Sequence, residues 1–83
     1  MIDMATLYPI LDRIVSLHNQ RWKIRRATSI SAGMNCIIHA ITTGSIGCKE
    51  YITSDKDGED ILVADVVQVN ADGSERQPYA KVF

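Results

Sequence analysis

Eighty-three residues make one small domain spanning 1–83, in the size range where folding buries only about 60 to 65% of the unfolded chain's surface and stability is thin. The composition is globular, at 46% hydrophobic and 23% charged, but Tyr8, Trp22, Tyr51, Tyr79 and Phe83 are the only aromatics, so the core must be mostly Ile, Val, Leu and Met. The net charge of −1 conceals a segregation that bears on partners more than on chemistry: residues 1–49 carry six basic against two acidic side chains, net +4, and residues 50–83 carry three against eight, net −5.

Met1-Ile2-Asp3-Met4-Ala5-Thr6 lacks the basic start and apolar run of a secretory signal, and no stretch approaches the roughly 18 apolar residues of a membrane span. The expectation is a soluble, cytoplasmic protein with no membrane partner. Cys36 and Cys48 are too few for a disulfide scaffold and read as free thiols acting as small apolar residues. A small core with spare sheet edges is the setting in which a homodimer forms.

In chain order, Leu7, Ile10, Leu11, Ile14, Leu17 and His18 recur at intervals of three and four, which predicts an amphipathic helix from Thr6 to about Trp22. Asp3 or Thr6 caps its start, Pro9 falls in its first turn, and Arg21 and Lys23 complement the dipole at its end. After Lys23 short β-branched runs alternate with Gly, Asn, Asp and Ser, predicting strands near 23–31, 36–43, 48–54, 61–70 and 78–83. The connections fall at 31–35, 44–47, 55–60 and 70–75, and both Asp-Gly pairs tolerate the positive φ of tight turns. One segment reads both ways. Met34, Ile37, Ile38 and Ile41 also form a helical stripe with Ser31 as cap and Gly44 as stop, while the β-branched content of 37–43 favours strand.

The cluster Arg21, Trp22, Lys23, Arg25 and Arg26 is the candidate binding site for a protein partner or nucleic acid: cations neutralise phosphates and an indole can stack on a base. The competing reading makes Trp22 a core residue and the arginines a solvated rim, or partners of acids from the second half. A sequence pI near 6.0 argues against a dedicated nucleic-acid domain.

Other motifs fall short of their chemistry. Aligning Gly58 with the glycine of a calcium loop puts Asp55 and Asp57 on ligand positions but Ala64 where the bidentate glutamate belongs. Cys36, His39 and Cys48 lack any paired CxxC unit, and on a strand Cys36 and His39 would face opposite ways. Gly44-Ser45-Ile46-Gly47 has the GxxG shape of a KH-domain clamp without its basic residue. Nearly all acids lie in or beside turns, where water keeps them ordinary, and no catalytic residue, metal site or cofactor is assigned.

The resulting expectation is an α+β domain with an N-terminal amphipathic helix laid on a four- to five-stranded antiparallel sheet, its most apolar strand, 61–70, at the centre. The expected function is a small non-catalytic protein-binding module, an inhibitor or adaptor that occludes a partner surface, with nucleic-acid binding through residues 21–26 as the alternative.

Overall fold

The computed structural model describes residues 11–17, 19–53 and 58–77. These form a four-stranded antiparallel sheet and one helix: β1 (Arg13–Leu17), β2 (Gln20–Ala27), α1 (Ile30–Thr43), β3 (Gly47–Thr53) and β4 (Asp60–Val69), with strand order β1-β2-β4-β3. The α+β class stands, and the apolar run at 61–70 takes a central position as β4, between β2 and β3. No helix among the described residues is long and apolar enough to cross a membrane.

The helix, however, is in the middle of the chain. Where the N-terminal helix is predicted, residues 13–17 pair instead with 20–24 as antiparallel strands, β1 with β2, from Arg13↔Ile24 to Leu17↔Gln20. The true period there is two: Val15 and Leu17 pack toward the core while Ile14, counted in the helical stripe, is 50% exposed. Asn19, at φ 65°, turns the chain, a left-handed conformation that asparagine adopts more readily than most residues. Arg21 and Lys23 therefore lie within a strand and cap no helix. The start of the predicted helix, at 6–10, and the predicted strand 78–83 lie outside the described residues, as do residues 55–57 of the predicted connection 55–60.

The second correction is α1 itself, which replaces the predicted loop at 31–35 and strand at 36–43. Its β-branched residues are outweighed by defined ends and a packed face. Ser29, two positions before the expected cap, is extended, and its Oγ accepts the Ala32 N–H at 3.1 Å. Gly44 closes the helix at φ 71°, a conformation that costs glycine nothing. Thr42 and Thr43, poor helix formers in the middle of a helix, donate their hydroxyls back to the carbonyls of Ile38 and His39 in the last turn, at 2.8 and 2.9 Å.

The helix buries Gly33, Cys36, Ile37 and Ala40 against Trp22, Ile24 and Ala27 of β2 and Ala64 and Val66 of β4. Five of these nine are Gly, Ala or Cys, so the helix sits low on the sheet. Trp22 is the largest fully buried side chain, and burial of the indole outweighs the cost, about 1 to 3 kcal/mol, of leaving its Nε1 without a partner among the described residues. Two bulges tune the pairing: Arg25 is extra where β2 meets β4, and Val63 is extra where β4 meets β3, its carbonyl accepting the Thr28 N–H at 2.9 Å.

Gly33 marks the tightest approach: a Cβ there would lie 2.8, 3.1 and 3.2 Å from three atoms of the fully buried Ile24. Gly33→Ala is expected to destabilise the protein by about 1 to 2 kcal/mol, overpacking exceeding the gain in helix propensity. Because Ile24→Val removes the nearest atom, its added cost in the Gly33→Ala background should be smaller than in the parent, a coupling that urea denaturation of the four proteins measures.

Candidate functional site

Strand alternation divides the cluster at 21–26 between the two faces of the sheet. Trp22 and Ile24 lie beneath α1, with Trp22 only 1% exposed, whereas Arg21 and Lys23 project from the opposite face, which is helix-free among the described residues. The bulge changes the phase: Ile24 and Ala27 both join the core although three positions apart, so Arg25 and Arg26 both fall on the helix-free side. The indole and the cations are thus brought to different surfaces. A base stacking on Trp22 would have to displace the core.

The cations on the helix-free face meet acids from the second half of the chain. Arg25 Nη2 donates to Asp65 Oδ1 at 3.2 Å, and Arg25 Nη1 to Glu75 Oε1 at 3.1 Å. Lys23 Nζ lies 3.7 Å from Asp12 Oδ1 and 3.9 Å from Glu75 Oε2, and Arg21 donates to the Ala71 carbonyl at 2.8 Å. Among the described residues Arg26 is the one member of the basic group with neither an ion pair nor a side-chain hydrogen bond.

Two acids in this network correct the expectation that the carboxylates sit in solvated turns. Asp65 lies in the central strand with its side chain 14% exposed, and Glu75 bridges back to Val69 beyond a turn that folds over the sheet. That turn is built by Asp72, whose carboxylate accepts both the N–H and the hydroxyl of Ser74; these bonds hold its pKa below the usual carboxylate value. The turn is therefore firm at neutral pH and loosens as acid protonates Asp72. An acid inside the apolar run 61–69 was the signal for a buried partner.

On the helix side a different surface appears. Around α1 the buried stripe is flanked by Ile30, Met34, Ile38 and Ile41, spaced at four, four and three and so on one side of the helix. Ile30, Ile38 and Ile41 are exposed by 48, 53 and 37%, and Met34 is half-buried. The other exposed residues are Ser31, Asn35, His39, Thr42 and Thr43, and the 14-residue helix carries no formally charged side chain. At the chain's 23% charged content, 14 residues would carry about three. Surface helices ordinarily place charges on the face opposite the core. This flank was visible in the sequence as the Met34, Ile37, Ile38 and Ile41 stripe, although only Ile37 of those four is buried in the core.

Comparison with protein-family models, with curated proteins and with solved structures finds no match for this chain.

The ion network makes a quantitative prediction. Arg25→Ala removes the cation from a nearly buried Asp65 and should cost about 1 to 2 kcal/mol, whereas Glu75→Gln breaks pairs that water already screens and should cost under about 1 kcal/mol. Urea denaturation at low and high salt checks both, and equal losses would mean that Asp65 takes its compensation from elsewhere.

Proposed function

We propose that this protein is a small non-catalytic protein-binding module, an inhibitor or adaptor, which occludes an apolar, uncharged surface of its partner with the outer flank of α1. The observation that carries the reading is the absence of charge on a solvent-facing helix that exposes Ile30, Ile38 and Ile41. Interface cores are depleted in charge relative to the remaining surface, and a contiguous apolar stripe on a small domain is stabilised when a partner covers it. The partner's complementary surface is apolar because a charged one would be desolvated against isoleucines without compensation. The basic group supports the same reading: Arg21, Lys23 and Arg25 are engaged within the chain and Trp22 is in the core, which leaves less of the cluster to grip phosphates.

The test compares Ile38→Asp/Ile41→Asp with Arg21→Ala/Arg26→Ala, both carrying substitutions at exposed positions and verified as folded by circular dichroism. Quantitative capture from cell lysate should yield a protein retained by the parent and the arginine variant and lost from the isoleucine variant. Titration with DNA and RNA at low salt should show no binding. Saturable nucleic-acid binding that falls steeply with salt and disappears in the arginine variant would overturn the proposal. Sedimentation of the purified protein separates the other occupant, a second copy: concentration-dependent dimerisation abolished by the isoleucine substitutions would make the flank a homodimer interface instead.

A further inference from the structure

Beneath the other edge of α1, the Cys36 thiol, the Cys48 thiol and a carboxylate oxygen of Glu50 lie within 4.8 Å of one another. The sequence conceals this group because its members come from two elements. Cys48 and Glu50 are two apart on β3 and share its helix-facing side, opposite Val66 and Ala64 of the core. Cys36 comes down from α1 and donates its S–H to the Cys48 carbonyl at 3.5 Å. His39, the ligand the sequence spacing offered, follows Cys36 by three residues on α1, is exposed, and is not among the grouped donors.

The independent observation is the state of Glu50. Asp65 and Glu75, the other half-buried carboxylates among the described residues, are ion-paired. Glu50, also half-buried, has no ion pair and accepts no side-chain hydrogen bond from the described residues, although it faces the helix on an edge strand. A carboxylate drawn toward a core without a cation is unfavourable, and a cation placed among these three donors removes the penalty.

Two sulfurs and one carboxylate exclude calcium and magnesium, which require oxygen, and match zinc, which takes thiolate at about 2.3 Å and carboxylate at about 2.0 to 2.2 Å. Those lengths put tetrahedral donors roughly 3.3 to 3.8 Å apart, so the three atoms need to close by no more than about 1.5 Å from their 4.8 Å limit. From this geometry we infer that Cys36, Cys48 and Glu50 bind one zinc ion, which ties α1 to the edge strand β3 and leaves a fourth position for water on the solvent side. Cys48 and Glu50 are half-exposed and give the ion its path in, while Cys36 is fully buried and anchors it. Without metal, burial keeps the Cys36 thiol protonated far above its ordinary range, assisted by the hydrogen bond to Cys48 and the charges of Cys48, Glu50 and Asp65. Metal binding therefore releases thiol protons, and affinity increases with pH.

The experiment uses the full chain, reduced with a phosphine and freed of metal by chelation, both thiols being confirmed by titration after unfolding. Addition of Cd2+ should produce a sulfur-to-metal charge-transfer band that saturates at one ion per chain and is displaced by Zn2+, while Zn2+ alone raises the thermal midpoint. Cys48→Ser should abolish the band and the thermal shift, and Glu50→Gln should weaken binding by about tenfold or more. Both replace half-exposed side chains and keep the apo fold, so the test does not depend on the buried Cys36. Absence of a charge-transfer band in the parent, a band that survives Cys48→Ser, or unchanged affinity in Glu50→Gln would overturn the assignment.

Discussion

The closeness with which α1 lies on β2 and β4 governs the rest of this structure. Gly33 over Ile24, and Cys36, Ala40, Ala27 and Ala64 around it, let the helix backbone approach the sheet where larger side chains would hold it off. With so few large residues beneath the helix, the contact is narrow, and the hydrophobic stabilisation depends on good packing around Trp22, Ile24, Ile37 and Val66. Both candidate surfaces follow from the low seat of the helix. Toward β3 it brings Cys36 down to Cys48 and Glu50; on the other flank its narrow buried stripe leaves Ile30, Ile38 and Ile41 in solvent.

The opposite side of the sheet obeys a different constraint. The excess of cations in the first half and of acids in the second half is folded back on itself, because antiparallel pairing sets β2 beside β4 and the turn after β4 returns Glu75 to the same face. Arg25, placed by a bulge, spans Asp65 and Glu75, while Lys23 adds Asp12. Individually such pairs contribute little when solvated. Their significance here is that they use up the charge that would otherwise mark a phosphate site, and they leave the uncharged helix flank as the more distinctive surface.

Much of the sheet was legible in the sequence. The apolar run at 61–70 and the segment at 48–54 stand as β4 and β3 within a residue of their predicted limits, because β-branched content and flanking turn residues agree there. The first half misled for two physical reasons. In 11–17 a run of Leu, Ile and Val satisfies both three-to-four and two-residue spacing, and Asn19, whose left-handed turn decides between them, leaves little trace in the pattern. In 30–43, isoleucine and threonine favour strand locally, and only the Ser29 cap, the Gly44 stop and the Gly33–Ile24 fit make helix the better solution. Trp22 was read both as a stacking platform and as core, and its phase on β2 places it in the core. Of the Cys36, Cys48 and Glu50 group the sequence offered the two cysteines, together with His39, but not Glu50, because no spacing rule joins a helix residue to two alternate positions of a strand.

The most direct test of this account is a nuclear Overhauser measurement between Gly33 and Ile24 in isotopically labelled protein. Strong contacts between the Gly33 α-protons and the Ile24 methyl groups, with helical chemical shifts over 30–43 and extended shifts over 13–17, are the expected result. Helical shifts across 13–17, or the absence of any Gly33–Ile24 contact in a folded sample, would contradict the seat of the helix and with it the exposed flank and the sulfur–carboxylate group that depend on it.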